Sequence, residues 1–275
     1  SEGIMPHSSA PDPDPAPGLV TIGRAAKKAT LGGHTQVIVP LSGDSQSLIG
    51  QVQAMATCRA DIVEWRADTF LSSLVGAHFV SASDVGEDLV SMARYVADSS
   101  PLPVLATIRT SVEGGQAYLD DEEYCALVRR LASCVGGVDL EISRDGSSTL
   151  IEDAHEEGAI VVASFHDFEA TPSDERLAEV LAAMNVAGAD VLKFACLAHS
   201  ATDAARVLAA QAWAREAYDR PIIGISMGQH GAPTRLVGSA LGSAATFATL
   251  PGWEGSAPGQ FTVEQVRAVL DIVDR

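Results

Sequence analysis

An α/β fold, a (β/α)8 barrel, is what the sequence predicts, on three observations. From Gln36 onward, short apolar runs rich in Val, Ile and Ala alternate eight times with longer amphipathic or Ala-rich segments. Runs such as Ile160-Val161-Val162-Ala163 are apolar on both faces, as parallel strands covered by helices are. Eight strand-helix units within 275 residues favour a closed barrel over an open sheet.

Residues 1–17 interleave Pro6, Pro11, Pro13, Pro15 and Pro17 with Asp12 and Asp14, a composition too poor in apolar surface to offset its ordering entropy. They read as a disordered leader, with Ser1 to Ile4 before Met5 as an expression scar. Residues 18–275 read as a single barrel domain. Val20 to Ile22 form a short strand ahead of the turn-forming Gly32-Gly33, giving a small hairpin before the main fold.

Strands are then expected at 36–41, 61–66, 103–108, 138–142, 160–165, 190–195, 221–226 and 244–248. Helices are expected between them at 45–56, 84–98, 121–133, 147–156, 173–186, 200–217 and 231–240, closing with 262–273. Ser173, three positions before Arg176, and Thr262, ahead of Glu264, are capping residues for two of these helices.

Composition excludes several functions. With 18 Lys+Arg against 36 Asp+Glu, the formal net charge is −18, so nucleic acid or an anionic membrane would meet repulsion over most of the surface. A small anion can still bind where positive groups converge. The four cysteines, Cys58, Cys125, Cys134 and Cys196, lack C-x-x-C spacing and read as reduced thiols. The sequence has no apolar stretch of about 18 residues and no basic-then-apolar leader, so the expected location is the cytoplasm.

In a barrel of this type the active site lies at the C-terminal ends of the strands, where four strands carry polar interruptions. In Ile62-Val63-Glu64-Trp65-Arg66, alternation puts Glu64 and Arg66 on the inward face with Ile62. The third expected strand ends at Arg109 and the fifth at His166. The sixth reads Val191-Leu192-Lys193-Phe194-Ala195. Lys193 is one of three lysines, the others being Lys27 and Lys28. A lysine inside an apolar strand is biased toward its neutral, nucleophilic amine by desolvation. It can equally be a structural lysine paired with Glu64 or Glu141. His166 can be a core histidine or an acid-base group, and the second role gains weight because the next strand supplies Lys193.

Arg109 opens a loop through Glu113, Gly114 and Gly115, in which Glu113 is either a solvated turn residue or the acid that orients a histidine. Arg235 falls in the first turn of the expected helix 231–240, where a cation opposes the macrodipole, so it is either the site of an anionic partner or a plain surface arginine. Ser256-Ala257-Pro258-Gly259-Gln260 is a turn by composition, and its small residues also suit a mobile lid.

In order and spacing, these segments resemble type I 3-dehydroquinate dehydratase, a Schiff-base enzyme family. The likeness runs from about Val20 to the C-terminus through Val63-Glu64-Trp65-Arg66-Ala67-Asp68, Arg109-Thr110 with Glu113-Gly114-Gly115, and Ser164 to Phe168. It continues through Lys193, Ser226-Met227-Gly228, Arg235-Leu236, Gly242-Ser243-Ala244 and Ser256 to Gln260. The resemblance implies a barrel closed at its bottom by the N-terminal hairpin, and neither metal nor dissociable cofactor. It implies an imine between Lys193 and the substrate C3 ketone, proton transfer at C2 and C1 by His166, and orientation of His166 by Glu113. Glu64, Arg66 and Arg109 match positions that hold substrate hydroxyls, Arg235 and Gln260 those that hold the carboxylate, and Ser256 the lid serine. The expected partner is a small anionic molecule, and a homodimer is compatible with the resemblance. Thr234 and Phe194 depart from it, standing where a serine and a smaller aliphatic residue are common. A class I aldolase and a non-catalytic metabolite-binding barrel are the competing readings. The set of Glu113, His166 and Ser256 to Gln260 disfavours the first. Retention of the lysine, the histidine and the lid motif weighs against the second.

Overall fold

The computed structural model describes residues 18–75, 82–253 and 260–275. The expected leader 1–17 with its expected expression scar, and Ser256, expected as a lid serine, lie outside the described residues. Eight parallel strands form one sheet: β3 (Gln36–Leu41), β4 (Ile62–Arg66), β5 (Val104–Thr107), β6 (Gly137–Glu141), β7 (Ile160–Asp167), β8 (Val191–Leu197), β9 (Ile222–Met227) and β10 (Ala245–Phe247). They run in that order, and β10 pairs with β3. Where β9 meets the chain entering β10, Ile222 bridges Ser243 and the Ala244 N–H donates to the Ile222 carbonyl at 2.9 Å, which brings the sheet round to near closure.

Helices cover the outside: α1 (Ser45–Ala54), α2 (Ala67–Val75), α3 (Ala82–Ser99), α4 (Asp121–Ala132), α5 (Ser147–Glu156), α6 (Asp174–Val186), α7 (Ala201–Ala217) and α8 (Val263–Val273). Ser173 caps α6 by accepting the Arg176 N–H, and Thr262 caps α8 in a capping box with Gln265. Strand alternation divides the apolar residues into two cores. Val63, Ala106, Val138, Leu140 and Leu192 face the helices, while Ile62, Leu105, Val162, Val191 and Ile223 meet inside the barrel.

The first departure from expectation is α2, which follows β4 without a loop where no helix was expected. The second is residues 231–240. Pro233, Gly238 and Gly242 prevent a continuous α-helix there, and the chain instead forms two 3-10 turns, Ala232–Leu236 and Ser239–Leu241. Arg235 therefore lies in the last turn of a short 3-10 segment, and opposition to a helix dipole does not describe its setting.

The hairpin exists but turns elsewhere. Strand β1 (Val20–Arg24) pairs antiparallel with β2 (Lys27–Leu31), Arg24 opposite Lys27, so the turn is Ala25-Ala26 and Gly32-Gly33 follows the second strand. Ala25 supplies the left-handed conformation, φ 51°, that composition assigns to glycine. Ile22 and Leu31 pack on Ile38, Ile62, Leu105 and Val191, the lowest inward layer, and so plug the barrel bottom. Gly137 makes room for them, since a Cβ there would lie 2.9 Å from Ile22 Cδ1. Arg24 donates to the carbonyls of Ala132 and Ser133 at the end of α4, and Lys27 to those of Ala97 and Asp98 at the end of α3. These cations meet the negative ends of two helix dipoles. Truncating the plug by Ile22→Ala is expected to lower unfolding stability by about 2–5 kcal/mol in urea titration while leaving substrate affinity unchanged, because the cavity forms at the far side of the bottom layer.

Candidate active site

At the C-terminal mouth, inward residues of successive strands line a cavity of about 430 Å³ that includes Glu64, Arg66, Arg109, His166, Lys193, Arg235 and Gln260. Eight of the nine site residues expected from sequence can thus be located, Glu113 lying just behind His166, and Ser256 is outside the described residues.

Lys193 points inward from β8, buried, with the face of Phe247 4.6 Å from Nζ. Two carboxylates stand near it: Glu64 Oε2 at 3.9 Å and Asp139 Oδ2 at 3.8 Å. Glu141, the other partner considered from sequence, is turned to Arg109 and Thr110 instead. Burial lowers the Lys193 amine pKa below its ordinary value, and Glu64 and Asp139 oppose that shift without cancelling it. The outward neighbour Phe194 fills the space toward α7. It pairs with Gly224 on β9, where a Cβ would come 2.9 Å from the phenyl ring, so this larger residue is accommodated away from the cavity.

Glu113 ends a 3-10 turn, Ser111–Glu113, that stops at Gly114 in the left-handed region, φ 84°. Its Oε1 accepts the His166 backbone N–H at 2.8 Å and lies 3.3 Å from Nδ1 of the same ring, while Oε2 accepts from Ser143 Oγ at 3.2 Å. Backbone and ring are thereby both referred to one carboxyl. Phe168 stacks on the imidazole at 6.0 Å, near parallel. Burial, then the cations Arg109, Lys193 and Arg66, hold the imidazole well below its ordinary pKa, which favours the neutral base. Burial, reinforced by Glu141, pushes Glu113 up to about 7.

Arg109 is bound on every side. It donates to Glu141 Oε2 and Ser164 Oγ, both at 3.1 Å, and lies 3.0 Å from Asp139 Oδ2. Arg66 is gripped in two places by the buried Asp68, at 2.8 and 2.9 Å. Arg235 differs from both: it is buried, and among the described residues its Nε has no hydrogen-bond partner and no carboxylate forms an ion pair with it. Burial alone lowers its pKa, and a guanidinium remains charged through any such shift. Gln260 Oε1, on the same cavity wall, is likewise buried without a partner among the described residues. Two such polar groups at one wall have the chemistry to hold an anion.

Sequence reasoning passed over Asp139, Asp68 and Ser143. Val138-Asp139-Leu140-Glu141 carries the same apolar-charged alternation that singled out Glu64 and Arg66, so the signal for Asp139 was present. It was Lys193 that drew attention to this strand, and only as a possible partnership with Glu141. Ser143 acts through a contact across separate loops, which spacing does not reveal, whereas Asp68 lies only two residues from the arginine it grips.

Comparison with known proteins gives a consistent picture. A family model described as type I 3-dehydroquinase matches residues 37–275. The 3-dehydroquinate dehydratase of Klebsiella pneumoniae (strain 342) is 36% identical over 247 residues, 88% of this chain and 94% of that protein. That of Bacillus velezensis is 35% identical over 249 residues, with the same coverage of both chains. The crystal structure of 3-dehydroquinate dehydratase from Geobacillus kaustophilus HTA426 is similar with a TM-score of 0.83 at 30% identity, covering 94% of this chain and 96% of that one.

Proposed function

The chain belongs to the type I 3-dehydroquinase family, and from that premise we propose that it converts 3-dehydroquinate to 3-dehydroshikimate through an imine on Lys193 with His166 as acid and base. It is a hydro-lyase by family. The observation that carries the mechanistic reading is that one cavity holds a buried lysine with a depressed pKa, a histidine referred to a carboxyl, and an arginine without an ion-pair partner among the described residues. An aldolase or a binding barrel would share the fold, but the family match along 37–275 favours neither.

The C2 proton of a neutral ketone is a poor acid. The Lys193 amine attacks C3, the carbonyl oxygen departs as water, and the resulting protonated imine draws electron density from C2. Neutral His166 then removes the C2 proton and returns a proton to the C1 hydroxyl, which leaves as a second water. Hydrolysis of the imine consumes one water, so the net reaction is loss of one. Glu113 orients the imidazole and stabilises it once it is charged. Glu64 and Arg66 hold substrate hydroxyls. Arg109, already bound on every side, supports them and shapes the site. In this reading the enzyme serves the shikimate pathway, and local cations reconcile an anionic substrate with a net charge of −18. Growth of enone absorbance on adding 3-dehydroquinate tests the reaction, and its absence with correctly folded protein would refute it.

Arg235 and Gln260 form the carboxylate clamp, and Ser256 matches the family's lid serine. Arginine grips a carboxylate through two parallel hydrogen bonds, whereas lysine offers a point charge. Arg235→Lys is therefore expected to weaken binding markedly and Arg235→Ala more so. Gln260→Ala should lose both affinity and rate. The effect of Arg235→Ala should vanish for an analogue whose carboxylate is replaced by a neutral group. Equal losses for acid and neutral ligands would make Arg235 a support of its loop, with Arg66 or Arg109 next in line to bind the carboxylate.

A further inference from the structure

One charged group behind the cavity wall, beside Lys193, has no part in the steps above. Asp139 points inward from β6, fully buried, between Arg109 and Lys193. Its Oδ1 accepts from Ser164 Oγ at 2.7 Å, which fixes the carboxylate plane. Its Oδ2 is ion-paired with Arg109 Nη2 at 3.0 Å and has Lys193 Nζ at 3.8 Å. A carboxylate oxygen carries two lone pairs, so Oδ2 can take a second donor beside Arg109. The other carboxylate near Nζ, Glu64, already receives the Thr107 hydroxyl at 3.0 Å on the oxygen that faces the lysine.

The chemistry at Nζ changes the number of donors. A lysine ammonium carries three N–H bonds. When it forms a protonated imine, two of those protons leave with the ketone oxygen as water, the C–N double bond takes the place of C=O, and one N–H remains with the positive charge. We propose that Asp139 is the counter-ion of this imine and that its Oδ2, on the side away from Arg109, accepts the one remaining N–H. Fixing that N–H toward β6 fixes the plane of the imine and hence the face of C2 presented to His166. A carboxylate that stays ionised also keeps the imine protonated, the form that acts as an electron sink. Burial alone would raise the Asp139 pKa, but Arg109 and Lys193 hold it below its ordinary value. The other charged groups around Nζ are Glu64 and Arg66 from β4 and Arg109 beyond β5.

This inference rests on Lys193 forming the imine, and the test separates the two. The probe is reductive methylation with formaldehyde and cyanoborohydride across pH, read at each lysine by peptide mass, with Lys27 and Lys28 as internal references. Removing the anion destabilises the neighbouring ammonium, so in Asp139→Asn the Lys193 midpoint should fall by about one pH unit or more. Turnover of 3-dehydroquinate should nevertheless drop by at least ~10-fold, because the protonated imine loses its counter-ion. Asp139→Glu, which keeps the charge, should restore most of the midpoint. A more nucleophilic lysine in a slower enzyme is not what structural damage produces. If wild type gives no borohydride-trapped adduct on Lys193, the functional reading fails. If it gives the adduct while Asp139→Asn leaves midpoint and turnover unchanged, the counter-ion assignment is overturned. Should the variants not fold, a crystal structure of the borohydride-reduced wild-type adduct decides. The adduct nitrogen is expected within about 3.2 Å of Asp139 Oδ2, and a nitrogen bonded to Glu64 alone overturns the assignment.

Discussion

Lys193→Ala is expected to abolish the adduct trapped by borohydride and to lower turnover by at least roughly 10⁴-fold, the scale on which removal of a covalent nucleophile acts elsewhere. Without the amine the C2 proton must leave a neutral ketone, and His166 and Arg235 can do little about that barrier. The trapping result is the sharper of the two, because there are only three lysines to which an adduct can map. Lys27 is engaged at the barrel bottom, donating to the carbonyls of Ala97 and Asp98 at the C-terminal end of α3. Intact-mass and peptide analysis of the wild type should therefore place the whole adduct at Lys193. An adduct at Lys27 or Lys28 that survives in the variant would overturn the assignment and leave Lys193 as a buried partner of Glu64 and Asp139.

Lys193 was legible in the sequence for a reason that applies to few other residues here. A lysine surrounded by Val191, Leu192, Phe194 and Ala195 is costly unless it is used, and this chain has almost no lysines to confuse with it. The eight strands were equally plain, since runs apolar on both faces define parallel strands with an error of a residue or two at their ends. Local composition failed where the backbone did something that side chains do not announce. Ala25 takes a left-handed turn that glycine would signal, and residues 231–240 break into 3-10 turns around Pro233 and Gly238. The state of a charge was beyond the sequence altogether. Arg66, Arg109 and Arg235 look alike as arginines, yet one is clamped by Asp68, one is shared among Asp139, Glu141 and Ser164, and the third has no acidic partner among the described residues. For Arg109 the partners come from neighbouring strands β6 and β7, whereas for Arg66 the partner is two residues along the chain.

His166→Ala is expected to separate bond formation from proton transfer. Imine formation requires the Lys193 amine, which remains, so substrate or product should still be trapped on Lys193 by borohydride. Turnover should fall by roughly 100-fold or more, the loss that accompanies removal of a general acid and base. The pH profile adds a second reading. Burial and the cations Arg109, Lys193 and Arg66 disfavour the imidazolium, so the basic form persists to more acid pH than an ordinary histidine allows. The acid limb that His166 contributes to kcat/KM in the wild type should accordingly lie below pH 6.5, the ordinary histidine value, and should be missing from the residual activity of His166→Ala. Glu113→Gln offers the complementary case. It keeps a hydrogen-bond acceptor for the His166 backbone N–H, which Glu113 Oε1 takes at 2.8 Å, but removes the carboxyl that can stabilise the imidazolium. It should retain trapping, lose less turnover than His166→Ala, and shift the His166 limb further toward acid pH, since a neutral amide supports the charged ring less well than a carboxylate does. Near-normal turnover in His166→Ala would make the imidazole a structural group held by Glu113 and Phe168, and proton transfer would then have to be assigned to another group on the cavity wall.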